Sequence, residues 1–376
     1  MSEFASAGSE RLLALQALRA VAATMIVVLH AEELVLNHSA AHSLPFSPFR
    51  YLPLGVGVDL FFVISGFVIV FASRKLFSAP GGRLEFMRRR LIRIVPLYWT
   101  ALTLRILVLA VGVMLGAKTF PSWEAIAASY LFIPFDAMGF GPQYPFPVLD
   151  LGWTLNYEMF FYFLFALFIV FRRETAVLAV ASCLLGGVVL ATIFPPDSVA
   201  LHFWFRPITL EFAMGAIIAL LLMRGVVLGR ATRITMIAAG LLIWLVPVSW
   251  FADMSGPGFY TLPRLAIWGV GAVLIVAAAV MGPTTFRSVW SRTLVALGDS
   301  SYALYLLHPF VFVLIKAVLV KVTIPQLLCW PAVFMIAALA ITAAALFHRF
   351  AEDPVILFLR KITSAQRLPA SVSSSG

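Results

Sequence analysis

The chain has 376 residues, of which 62% are hydrophobic and only 12% charged, with a mean hydropathy of +1.00. A water-soluble domain needs far more charge on its surface than this, so a soluble fold is excluded. The formal net charge of +10 does not call for a nucleic-acid partner, because basic loops on the cytoplasmic side are the ordinary source of a high pI in a membrane protein.

Apolar runs of about twenty residues bounded by charge or turn residues predict ten membrane spans. In chain order they are Leu12 to Leu36, Gly55 to Ala72, Leu91 to Leu115, Trp153 to Phe171, Thr175 to Phe194, Pro207 to Met223, Ile234 to Trp250, Leu265 to Met281, Leu297 to Val320 and Trp330 to Phe347. The expectation is an all-α polytopic helix bundle with one transmembrane domain over 1–363. A disordered cytoplasmic tail, rich in Ser and small residues, is expected over 364–376. The polar start lacks the pattern of a cleavable signal, so the first helix is expected to remain as an anchor.

Basic residues orient this arrangement. With the amino terminus placed in the cytoplasm, nineteen Lys and Arg fall on cytoplasmic segments and five on the opposite side, and every loop agrees. Both termini are therefore expected in the cytoplasm. Cys183 and Cys329 lie in or beside apolar stretches and offer neither a disulfide framework nor metal-ligand spacing, so no metal is expected.

Ionisable side chains inside spans are costly and mark functional positions by default. The first span carries Arg19 and His30 in RAVAATMIVVLH. Eleven residues at 100° end about 20° past three full turns, so both point the same way, about 16 Å apart along the axis. Two readings stand: a fixed charge and a titratable imidazole serving one site, or an arginine snorkelling to phosphates beside a histidine that bonds a neighbouring helix. Asp59 opens the second span at the expected depth of His30. It is read either as the carboxylate that orients this imidazole or as an acid favoured by the helix N-terminus. Glu158, flanked by Asn156, Tyr157 and Tyr162, is placed to bind sugar hydroxyls or orient the base, or else to pair with an arginine.

The stretch RRRLIRIVPLYW crosses from a cytoplasmic loop into the third span. Arg90 and Arg93 share one helical face, with Arg88 and Arg89 beside them. Guanidinium forks match phosphate oxygens, so a phosphorylated cytoplasmic cosubstrate or an anionic lipid headgroup is their expected partner. In the ninth span, Pro309 frees a backbone carbonyl that His308 or a water satisfies, and His308 is also a candidate for substrate contact.

In order along the chain, LQALRAVAATMIVVLHA, GVGVDLFFVISGF, RRRLIRIVPLYW, LGWTLNYEMFFYF, SYALYLLHP and FAEDP resemble the membrane-bound acyltransferase-3 family, which includes bacterial O-acetyltransferases of exopolysaccharide, O-antigen and Nod-factor acceptors. The resemblance implies transfer of an acyl group, usually acetyl, from cytoplasmic acetyl-CoA to a hydroxyl at the outer face of a bacterial inner membrane. Acyl-CoA is then a cosubstrate, and no tightly bound cofactor is implied. The family's essential Arg and His of the first helix fall on Arg19 and His30, and its Arg-x-x-Arg pair falls on Arg90 and Arg93. The acid of its Trp-Ser/Thr-Leu-x-x-Glu segment falls on Glu158, but Met159 stands where a second acid is often seen. The esterase-like domain that some members carry after the membrane part is not expected here. From the residues and the resemblance together, His30 is expected to act as general base, assisted by Asp59 or Glu158. A proton-coupled transporter or an acyl-group flippase is the alternative that intramembrane Arg, His, Asp and Glu also suit.

Overall fold

A computed structural model describes residues 2–49, 53–116, 119–137, 139, 145–251, 261–283 and 288–365. Helices dominate, and there is no strand among the described residues. The predicted tail falls largely outside them: Ser364 and Ala365 continue the last helix, and 366–376 lie beyond.

The helices are α1 (Ser2–Ala41), α2 (Val56–Ala72), α3 (Gly82–Met114), α4 (Trp123–Tyr130), α5 (Trp153–Phe168), α6 (Arg173–Ile193), α7 (Val199–Trp204), α8 (Leu210–Met223) and α9 (Arg230–Trp244). Then come α10 (Leu262–Val280), α11 (Val289–Asp299), α12 (Ser301–Leu319), α13 (Cys329–Phe347) and α14 (Asp353–Ala365). Leu265–Gly269 forms a π-turn inside α10, and His348–Glu352 forms another that joins α13 to α14.

Among the described residues, six helical segments are long and apolar enough to cross a bilayer: Arg11–Ala41, Gly82–Met114, Arg173–Ile193, Leu262–Val280, Ser301–Leu319 and Gln326–Thr363. The other four of the ten expected spans coincide with shorter helices, α2, α5, α8 and α9. With 17 residues, α2 is about 26 Å long, against a hydrocarbon core of about 30 Å. Local thinning or flanking turns must make up the difference for a helix of this length to cross.

Two boundaries differ from the sequence reading in ways that matter. The third helix starts at Gly82, where a left-handed Gly81 (φ 70°) admits the chain, so the arginine cluster rides on a helix face instead of a loop. The ninth expected span divides at Ser300 into α11 and α12.

Packing is closest between α2 and α8. A Cβ on Gly66 would collide with the Phe212 carbonyl, and one on Gly215 with the Val63 carbonyl. The two glycines therefore let the backbones meet in both directions, as small residues do in membrane bundles. Phe62 and Phe212 stack beside this contact at 4.4 Å between centroids. Large apolar side chains such as Leu107, Met114, Leu190, Phe194, Phe334 and Leu346 stay exposed on the outside, while the acids and arginines of interest are turned inward. This inside-out distribution, together with the long apolar helices, makes the chain an integral membrane protein.

Candidate active site

The first cavity lies where α1, α2, α3, α5 and α12 converge. Arg19, Arg90, Arg93 and Glu158 line it, with Ser65, Thr154, Tyr162, Tyr302 and Tyr305. Its cavity volume is about 90 Å³, continuous with further unfilled space that opens to solvent. Glu158 accepts hydrogen bonds from Ser65 Oγ at 2.9 Å and Tyr162 Oη at 2.5 Å. Arg19 is steadied by Gln16, whose Oε1 accepts from its Nη1 at 3.1 Å, and Gln16 in turn donates to Asp299. Arg90 lies against the rings of Phe86 and Tyr162, at 5.6 and 5.7 Å, and its buried Nε has no hydrogen-bond partner among the described residues. Three guanidiniums facing one carboxylate leave this cavity with surplus positive charge and an unused donor, the chemistry of an anion receptor.

The second pocket lies further along the same face of α1. His30, Glu33, Leu34, Asn37, Asp150, Leu151, His308, Pro309 and Lys316 are among its lining residues. Since α1 is unbroken, the helical geometry that puts Arg19 and His30 on one face holds, and each opens into a different cavity along it. The imidazoles of His30 and His308 stack at 5.3 Å between centroids, 19° from parallel. His30 Nδ1 lies 2.9 Å from Glu33 Oε2, and His308 Nδ1 lies 2.9 Å from the Leu304 carbonyl. In a neutral imidazole, an Nδ1 that faces a carbonyl or carboxylate oxygen carries the proton and leaves the lone pair on Nε2. That is the tautomer a general base requires.

The structure corrects several sequence-based expectations. Asp59 does not serve His30: it is 0% exposed and ion-paired at 2.8 Å with Arg264, itself 1% exposed. Glu211, fully buried, interacts with both. Arg264, one of the five basic residues assigned to the outer side from the sequence, belongs to α10. Glu158 does not assist His30 either, since it lines the arginine cavity. Tyr157 is structural: its hydroxyl donates to the Phe203 carbonyl at 2.7 Å and its ring stacks on Phe203 at 4.2 Å. Asn156 is buried, lines neither cavity, and its amide finds no hydrogen-bond partner among the described residues. Arg88 and Arg89 are taken up by Glu85, at 2.9 and 2.5 Å, and Arg88 also donates to Thr363, so only Arg90 and Arg93 of the four reach the cavity. Glu352, in the FAEDP stretch, meets His348 Nδ1 at 2.7 Å.

Glu33 and Asp150 escaped the sequence reading. The spacing of Glu33 from His30, three residues on one helix, is a legible signal for contact. Asp150 has none, because it enters the pocket from the turn Asp150–Gly152 ahead of α5, and only the fold brings that turn beside His308.

Comparison with known proteins agrees with this architecture. A family model described as an acyltransferase domain, Acyl_transf_3, matches residues 12–349. Exopolysaccharide production protein ExoZ of Rhizobium meliloti (strain 1021) is 31% identical over 266 residues, covering 68% of this chain and 75% of that protein. Acyltransferase MdmB of Streptomyces mycarofaciens is 26% identical over 284 residues, covering 67% of each chain. No solved structure matches. The matched segment includes α1 with Arg19 and His30, the arginines of α3, Glu158 and His308, so the chain belongs to the acyltransferase-3 family and is an integral membrane acyltransferase.

Proposed function

We propose that the protein transfers an acyl group, acetyl in the simplest case, from cytoplasmic acyl-CoA to a hydroxyl of a cell-envelope or secreted polysaccharide. The observation that carries this reading is the placement of Arg19 and His30 on one helix face, each opening into a different cavity. The phosphates of the donor bind Arg90 and Arg93, and its pantetheine arm extends past Arg19 toward the imidazoles. The axial distance from Arg19 to His30, about 16 Å, is comparable to the length of that arm. The relative named for exopolysaccharide production supports a polysaccharide acceptor.

His30 Nε2 removes the proton of the acceptor hydroxyl while Glu33 holds Nδ1–H and stabilises the imidazolium. The hydroxyl oxygen attacks the thioester carbon, the C–O bond forms as the C–S bond breaks, and the thiolate leaves with the transferred proton. In this reading the chain has ten spans with both termini in the cytoplasm of a bacterium, in its inner membrane, with the arginine cavity inward and the histidine pocket outward.

The test is incubation of the purified protein with acyl-labelled acyl-CoA and cell-envelope glycan. A labelled ester on the glycan supports the reading. A label that crosses a vesicle membrane without forming a covalent product marks a carrier instead.

A further inference from the structure

Residues that line the arginine cavity and residues that line the histidine pocket meet around Tyr305. Tyr305 and Thr154 line the first, and Leu151 lines the second. The Tyr305 hydroxyl donates to the Leu151 carbonyl, and Thr154 Oγ1 lies 2.7 Å from the same hydroxyl. Thr154 also reaches toward that carbonyl, at 3.4 Å. Three polar groups from three elements thus close over one another: Tyr305 from α12, Thr154 from the first turn of α5, and Leu151 from the turn before it. The ring of Tyr305 is backed by Phe61 of α2, at 6.5 Å between centroids. His308 stands one turn beyond Tyr305 on the same helix, so the tyrosine sits directly before the imidazole pair.

Resting on the donor reading above, we propose that Tyr305, held by Thr154 and the Leu151 carbonyl, is the partition between donor cavity and histidine pocket. Its displacement lets the acyl carbon reach His30. Two features make the contact suited to this part. The Tyr305 hydroxyl makes both of its bonds, to Thr154 and to the Leu151 carbonyl, from one side chain, so a single rotation of Tyr305 releases the two together. The carbonyl caps a short turn rather than a long helix, so its release does not unravel a span. A closed partition also keeps water in the histidine pocket away from the thioester. When water enters instead of acceptor, its oxygen takes the acyl carbon, the C–S bond breaks, the thiolate leaves with a proton, and the donor is wasted as free acid.

The partition is tested by chemical access, independently of turnover. In a Cys183→Ser, Cys329→Ser background, Ser65→Cys places a reporter thiol in the arginine cavity. A membrane-impermeant maleimide is then added at the face carrying Lys316, in sealed vesicles of known orientation. With Tyr305 intact, modification from this face is slow. Tyr305→Phe and Thr154→Val are expected to speed it at least tenfold, while Thr154→Ser, which retains the hydroxyl, stays slow. Equal rates across all four, or fast modification in Thr154→Ser, overturn the proposal. Acyl-CoA hydrolysis without acceptor is measured on the same vesicles and is expected to rise with Tyr305→Phe. Access that responds in vesicles that never turn over acyl-CoA sustains the partition and removes the donor reading. Access that does not respond, in vesicles that do transfer acyl groups, removes the partition alone.

Discussion

Glu33 Oε2 sits 2.9 Å from His30 Nδ1, three residues along α1, and this short-range pair supplies the carboxylate–imidazole contact that the sequence suggested Asp59 would provide. The proposed general base is thereby assembled within one helix. A half-exposed acid at the pocket rim is also free to relax as the imidazole charges. Replacing Glu33 with Gln keeps a hydrogen-bond acceptor but removes the negative charge. The expected result is a fall in kcat on the order of tenfold with little change in the KM for acyl-CoA. Steady-state kinetics at saturating acceptor check it; a change confined to donor KM would place Glu33 elsewhere in the reaction.

His308 shares the pocket with His30, with its Nδ1 committed to Leu304. His308→Ala removes one wall of the stack and a second free lone pair. Transfer is expected to fall about tenfold to a hundredfold, less than in His30→Ala, where general-base catalysis worth about 10²- to 10⁴-fold is lost. Comparing the two variants at matched expression orders the imidazoles. Equal and complete loss in both would make them a single functional unit.

The four arginines of α3 divide into two pairs. Arg88 and Arg89 neutralise Glu85, whereas Arg90 and Arg93 face the cavity. A charge-assisted hydrogen bond is worth about 1.5–3 kcal/mol, so Arg90→Ala or Arg93→Ala should raise the donor Kd by about tenfold to a hundredfold. Arg89→Ala, on the exposed side of Glu85, should leave it within about twofold. Calorimetric titration with acyl-CoA or coenzyme A reads both.

The Asp59–Arg264 pair links α2 to α10 inside the bundle, far from water. Removing one partner unbalances this buried charged group, in which Glu211 also takes part, and Asp59→Ala should cost about 3–5 kcal/mol of stability. Replacing both by apolar residues of similar size, Asp59→Leu with Arg264→Met, should recover much of it. Unfolding midpoints in detergent follow the comparison, and an unaffected midpoint in Asp59→Ala would show that the pair carries no structural weight.

What the sequence made legible follows from range. Hydropathy and loop charge report on local chain segments, so the apolar helices stood out, and the rise of a helix placed Arg19 and His30 on one face. The ends of α3 and α12 were misjudged because Gly81 and Ser300 act through backbone conformation, which hydropathy does not register. Depth in the bilayer put Asp59 near His30 in one dimension only. Which face of α2 carries Asp59, and that Arg264 stands opposite, depends on how α2 packs between α8 and α10. Tyr157 and Asn156 looked like sugar ligands because they neighbour Glu158 in sequence, yet successive helix positions point about 100° apart, and theirs point into packed protein.

The central claim is that acyl transfer to a hydroxyl is carried out at His30. The most direct measurement follows label from acyl-labelled acyl-CoA onto glycan by the native protein and by His30→Ala, each reconstituted in vesicles with its folding checked by unfolding midpoint. Ester-linked label is expected with the native protein and a loss of about 10²-fold or more in the variant, at unchanged donor affinity. Full transfer by a folded His30→Ala protein would contradict it.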